Sequence, residues 1–153
     1  MEMSPKEVAE MSEARELAER HVSAFNERAW SRASELYAPD LVMIEPSGPT
    51  RGIEPYLQTA KGFVTAMPDS RMEVTAITES GNRVVVEGTY SGTHTGPLGT
   101  PQGEVPPTGR KLMLPLCDVI EVAAGRITQI RAYYDQMTIA AQLGLLPEPA
   151  AAH

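Results

Sequence analysis

The chain has 153 residues, 42% of them apolar, and 20 acidic against 13 basic side chains, for a formal net charge of −7. That length supports one domain with its own core, and the acidic surplus argues against nucleic acid and anionic membrane as partners. A single cysteine, Cys117, excludes an internal disulfide; nothing near the N-terminus reads as an export signal, and no apolar run approaches the ~20 residues that span a bilayer, so a cytoplasmic protein is expected.

Ser4-Pro5-Lys6-Glu7 has the form of a capping box with proline in the first turn, which predicts a helix start. Val8, Met11, Ala14, Leu17, Ala18, His21, Val22 and Phe25 recur at three- and four-residue steps and carry that helix to about Asn26. Ser31 is positioned to cap a second, short helix through Tyr37, ended by Pro39. Leu41 to Glu45 reads as a strand closed by the turn residues Pro46-Ser47-Gly48-Pro49. A third helix fits Ile53 to Met67, with Pro68 as the stop.

From Arg71 the period changes to that of strands. One runs to the turn at Ser80-Gly81-Asn82, and a second from Arg83 to about His94. Two more, about Lys111 to Val122 and Arg126 to Asp135, flank a tight turn at Ala124-Gly125. Between the second and third of these four strands, Gly92 to Gly109 is too long for a hairpin and too polar for a core, and is expected to form a lid or rim. Met137 to Leu143 gives a last helix with Gly144 at its C-terminal end. Helices first and an antiparallel meander afterwards predict an α+β fold, a curved antiparallel sheet covered by the N-terminal helices. Residues 1–146 form one domain in this reading, and 147–153 a loose C-terminal tail.

The even positions of the strand from Leu112 to Val122 are all apolar except Asp118, which therefore points to an apolar face. A carboxylate there is either partnered or carries a raised pKa, and both states suit proton transfer; the structural alternatives are a bulge that turns it outward or a bond to a backbone amide. His94 ends a strand beside the Gly- and Pro-rich segment, as a group at a pocket mouth or as a solvated loop histidine. Tyr90 and Tyr134 are candidate donors to a carbonyl or enolate oxygen, or plain core aromatics. Asp135 is a candidate acid and equally a cap for Thr138. His21 lies on the apolar stripe of the first helix and reads as a core histidine. Cys117 has the opposite strand parity from Asp118 and reads as a packing residue. Three scattered histidines give no metal-ligand cluster, so neither a metal nor another cofactor is expected.

Several strings, in this order and spacing, resemble the SnoaL-like polyketide cyclase branch of the nuclear-transport-factor-2-like superfamily. They are Ser23-Ala24-Phe25-Asn26, Gly92-Thr93-His94-Thr95-Gly96, Pro106-Pro107-Thr108-Gly109-Arg110, Gly125-Arg126-Ile127 and Gln142-Leu143-Gly144. The resemblance covers nearly the whole chain and implies a cone-shaped domain with a mostly apolar pocket. It also implies intramolecular aldol ring closure, with an aspartate as general acid/base aided by a histidine and without a metal. Ungapped alignment places Ala132 at that aspartate's position and Asp118 at the histidine's, while Asp135 matches a second aspartate of the family. A secondary resemblance, through Arg131-Ala132-Tyr133-Tyr134-Asp135, is to limonene-epoxide hydrolase. Its aspartate, arginine and aspartate fall on Gly88, Tyr90 and Ala132, so that hydrolytic mechanism is not expected.

The same likeness makes Met43 and Glu45 pocket-lining, with Glu45 a candidate base or a rim carboxylate. The expected function is cofactor-free cyclisation or isomerisation, through an enolate, of a small hydrophobic polyketide-like carbonyl compound. Asp118 or Glu45 moves the proton, and Phe25, Met43 and Met67 form apolar walls. The alternatives are a hydrolase or dehydratase using a water near Glu45 or His94, and a noncatalytic ligand-binding domain. A homodimer is expected through the outer sheet face of Met113, Pro115, Cys117 and Val119.

Overall fold

The computed structural model describes residues 2–146, with the side chains of residues 8–12 outside the description. The expected tail over 147–153, and the stripe positions Val8 and Met11, fall outside the described groups. Helix α1 (Pro5–Glu27) starts on the expected capping box: the Glu7 N–H donates to Ser4 Oγ at 3.2 Å, and the Ser4 N–H to Glu7 Oε2 at 2.8 Å. It ends at Arg28, whose backbone turns left-handed at φ 58°. The Arg28 guanidinium then donates to the carbonyls of Phe25, Pro68 and Ser70 and ties the helix end to the next layer.

The short helix α2 spans Trp30–Ser34 and begins at Ala29 without a side-chain cap, so the expected capping role of Ser31 does not occur. The chain is already extended at Tyr37. Strand β1 (Tyr37–Glu45) is longer than expected and holds Pro39, because it bulges between Tyr37 and Val42 where a missing N–H is tolerated. Gly48–Arg51 forms β2, an edge strand where only a turn was foreseen. Helix α3 (Ile53–Ala66) is followed by β3 (Arg71–Ser80) and β4 (Arg83–Thr93). The segment after β4 contains a separate small hairpin, β5 (Leu98–Thr100) and β6 (Gly103–Val105). β7 (Lys111–Ala123), β8 (Arg126–Tyr133) and α4 (Gln136–Gln142) complete the order.

The main sheet has six strands in the order β2-β1-β8-β7-β4-β3. Its central meander is antiparallel as expected, but β1 pairs parallel with β8, so the sheet is mixed. The core lies between its concave face and helices α1 and α3. Ala14, Ala18 and Ala24 of α1 belong to one buried cluster with Val84, Val86, Ile120 and Ile130 of the sheet, all nearly or wholly buried. Each large aliphatic side chain removed from water there stabilises the fold by about 1.5–3 kcal/mol. Asn26 fixes α1 to β3 by donating to the Met72 carbonyl at 2.9 Å and accepting the Met72 N–H at 2.8 Å.

Two irregularities decide which residues face inward. In β8 the pairing passes from Ile127 opposite Val122 to Gln129 opposite Glu121, leaving Thr128 as an extra residue. Ile127 before it and Ile130 and Ala132 after it all point inward, although they differ in parity. In β3 the extra residue is Thr75, opposite the step from Gly88 to Glu87. The outer face of β7 is open in the single chain, with Met113 63% exposed and Pro115 exposed.

Candidate functional site

The concave face is not filled at the β1, β8 and β7 end, where a cavity of about 130 Å³ remains. From α1 it receives His21, Val22 and Phe25; from α3, Tyr56 and Phe63; from the sheet, Met43, Glu45, Tyr90, Asp118, Ala132 and Tyr134. Most of these walls are aromatic or aliphatic, which leaves the polar groups few and localised.

Asp118, Ala132 and Glu45 lie side by side on three adjacent strands. Asp118 pairs directly with Ala132 across β7 and β8, and the β1–β8 register, which ends at Ile44 opposite Arg131, sets Glu45 beside Ala132 on the other side. Two strand spacings therefore separate the backbones of the two carboxylates, about 10 Å. Only the Ala132 methyl stands between them, so the space above it is flanked by two acids.

Asp118 is half-buried and faces the cavity, and no hydrogen bond from the described residues reaches its carboxyl. Burial raises its pKa from 3.8 to about 7, and the negative charge of Glu45 adds to the rise. Glu45 is raised for the same first reason, desolvation, while the Tyr134 hydroxyl opposes the rise by donating to Glu45 Oε2 at 3.3 Å. Near neutral pH Asp118 is thus partly protonated.

The opposite wall carries a second polar group that sequence reasoning assigned to the core. His21 Nδ1 and the Tyr37 hydroxyl are hydrogen-bonded at 2.6 Å, and the Tyr37 and Tyr56 rings meet edge to face with centroids 5.0 Å apart. Desolvation lowers the His21 pKa to about 4, so the imidazole is neutral. His21 and Tyr56 line the cavity. The available signal was the shared stripe of His21, Val22 and Phe25, but a polar group on an apolar stripe does not reveal whether it meets side chains or empty space.

Of the other expected site residues, Phe25, Met43, Ala132 and Tyr134 line the cavity, whereas Met67, His94 and Asp135 do not. Met67 is 1% exposed and packs toward Gly92, away from the cavity, because α3 ends just before it and turns it under β4. His94 is wholly buried, neither a mouth group nor a solvated one. Its Nδ1 accepts from the Thr108 N–H at 3.2 Å and lies 3.0 Å from Thr108 Oγ1, which places the ring proton on Nε2, without a partner among the described residues. It pins the segment 94–110 onto the end of α3, where the Thr95 and Gly96 N–H groups donate to the Ala66 carbonyl. No residue of that segment lines the cavity, so it is a strap on α3 rather than a lid. The hydrolytic alternative with a water shared by Glu45 and His94 loses its second ligand. Asp135 caps α4 through the Met137 N–H at 2.8 Å and Thr138 Oγ1 at 3.1 Å.

Tyr90 presents its ring to the cavity, but its hydroxyl is buried without a hydrogen-bond partner among the described residues, so the expected donation to substrate oxygen does not arise from this side chain as placed. At Gly88 an added Cβ would stand 2.3 Å from the Glu73 carbonyl oxygen, so no aspartate fits where the epoxide hydrolase pattern requires one.

Among the described residues no group of three or more His, Cys, Asp or Glu side chains stands together as a metal site, and no helix is long and apolar enough to cross a membrane. The family model for SnoaL-like polyketide cyclase matches residues 15–143. No curated protein matches the chain. Among solved structures, AclR from Streptomyces galilaeus, a candidate hydroxylase, is 25% identical, with a TM-score of 0.75 over 90% of this chain and 99% of its own. IdmH from Streptomyces antibioticus, a candidate polyketide cyclase, is 27% identical, with a TM-score of 0.72 over 86% of this chain and 98% of its own. An epoxide hydrolase of limonene-epoxide-hydrolase type from M. tuberculosis shares the fold at 20% identity, with a TM-score of 0.68 over 88% of this chain and 91% of its own.

Proposed function

The chain belongs to the SnoaL-like polyketide cyclase family, and from that premise we propose that it catalyses, by acid/base chemistry without a cofactor, the enolisation and then cyclisation or isomerisation of a small hydrophobic carbonyl compound. The observation that carries the proposal is the pair of carboxyls flanking Ala132 in an apolar cavity, one with its pKa raised to about 7.

The carbonyl compound lies over Ala132 with its α-carbon toward Glu45 and its oxygen toward Asp118. The Glu45 carboxylate takes the α-proton, and the C–H electron pair moves into the carbonyl as an enolate. The protonated Asp118 donates to the developing oxyanion, a role that suits a carboxylic acid kept neutral by its surroundings. The enolate carbon then attacks a second carbonyl of the same molecule, closing a ring, and the new alkoxide takes the proton from Glu45; in a β,γ-unsaturated ketone the dienolate instead takes that proton at its γ-carbon. Tyr134 holds Glu45 in place and limits the rise of its pKa. In this reading the acid/base pair is Asp118 and Glu45, on either side of the position where the family resemblance implied an aspartate.

Solvent deuterium exchange at the α-carbon of a single-ring ketone tests the proposal without knowledge of the natural substrate. Wild-type protein accelerates exchange, and Asp118→Asn lowers the rate at least tenfold with the fold intact. Equal exchange in both proteins removes Asp118 from the mechanism. Ala132 itself offers no reactive group, which favours a second reading, a noncatalytic ligand-binding domain; a ketone that binds without exchange selects it. We extend the proposal to a homodimer through the open face around Met113, which sedimentation at micromolar concentration measures directly.

A further inference from the structure

The cavity of about 130 Å³ is close to the ~150 Å³ engineered cavity that accepts benzene, so one six-membered ring fills it and a polycyclic or long-chain molecule does not fit inside. A second space adjoins it. A hollow of about 500 Å³ is lined by Ile44, Pro46, Tyr133 and Asp135, and it shares Glu45, Ala132 and Tyr134 with the cavity. It exists because β1 and β8 part company there: their pairing stops at Ile44 opposite Arg131, β1 turns back into β2, and β8 leaves for α4. The residue at the parting is Ala132, which lines both spaces and has only a methyl for a side chain.

We infer that the substrate is an elongated molecule whose ring-sized head reaches Asp118 and whose uncharged tail passes Ala132 into the hollow between Ile44 and Tyr133. The tail is largely apolar because Ile44, Pro46 and Tyr133 line its path, with Ile44 36% and Tyr133 57% exposed in the single chain. It carries no carboxylate or phosphate, because Glu45 and Asp135 border the hollow and, among the described residues, no lysine or arginine lines either space. Only the assignment of the head as the reacting end rests on the acid/base proposal; the shape rests on the two volumes.

Binding of a series of cyclohexanones with straight alkyl tails, from methyl to hexyl, tests this by calorimetry. Affinity rises by up to about fourfold per methylene as the tail enters the hollow. A terminal carboxylate on the longest member cancels most of that gain. Tyr133→Ala and Ile44→Ala flatten the rise for long members and leave the methyl compound unchanged, which also shows that both variants fold. A wild-type affinity that is flat or falls beyond methyl, or a rise that survives both substitutions, overturns the inference. Deuterium exchange is read on the same compounds. A flat series with exchange intact sinks the tail site alone, and a rising series without exchange sinks the acid/base proposal alone.

Discussion

Asp118 should cost the protein stability in the pH range where its proposed chemistry operates. Its pKa stands at about 7 in the fold against 3.8 for an ordinary aspartate, and each unit of difference corresponds to 1.36 kcal/mol, so the full penalty is about 4 kcal/mol. Between those two values the folded state binds more protons than the unfolded one, and stability falls as pH rises. Below pH 3.8 both states are protonated and the penalty is absent; above 7 it is complete. Asp118→Asn keeps the shape and removes the charge. The variant is therefore more stable than wild type at pH 8, by up to about 4 kcal/mol or roughly 10 °C in Tm, and the advantage disappears toward pH 4. Urea unfolding of both proteins at several pH values measures the difference directly, and subtraction cancels the other titrating groups. A difference that does not change with pH, or a wild type that is the more stable at pH 8, would refute the reasoning. A gain in stability together with a loss of exchange marks a residue retained for its chemistry.

Tyr134→Phe removes the 3.3 Å bond that holds down the Glu45 pKa, so the acidic limb of the exchange-rate profile moves to higher pH; an unmoved limb excludes that role. Tyr37→Phe leaves the buried His21 without its 2.6 Å partner and costs about 1–3 kcal/mol in urea unfolding. The His21 pKa of about 4 lies below the usual 6.5, so the unfolded state binds the extra proton and stability falls as pH drops from 6.5 toward 4, an effect that His21→Phe abolishes. Gly88→Ala drives a methyl to within 2.3 Å of the Glu73 carbonyl oxygen and lowers Tm sharply, whereas Gly62→Ala, with nothing near its added methyl, does not.

What the sequence made legible was local. The Ser4–Glu7 capping box, the stripe of α1 from Ala14 onward and the apolar parity around Asp118 each follow from a short stretch of chain, and each matches the structure. The features that escaped are long-range. β1 starts at Tyr37 because it pairs with β8, some ninety positions later, and no window around Ser31 to Pro39 contains that partner. The bulge at Thr128 changes the parity of β8, so periodicity alone would send Ala132 outward; the family resemblance, not the alternation of apolar residues, put it at the site. His94 sits in a Gly- and Pro-rich stretch whose composition reads as solvated, yet the Ala66 carbonyl at the end of α3 draws the strap down over it. Glu45 was left between base and rim carboxylate, because no window of sequence shows that it stands beside Ala132 and takes a bond from Tyr134.

The proposed chemistry depends on Asp118 keeping a proton near neutral pH because Glu45 and the apolar walls surround it. Carbon-13 NMR titration of the Asp118 carboxyl, in wild type and in Glu45→Gln, tests that directly. A midpoint near 7 that falls in the variant supports the paired acids. A midpoint near 3.8 in wild type, or one indifferent to Glu45, contradicts them.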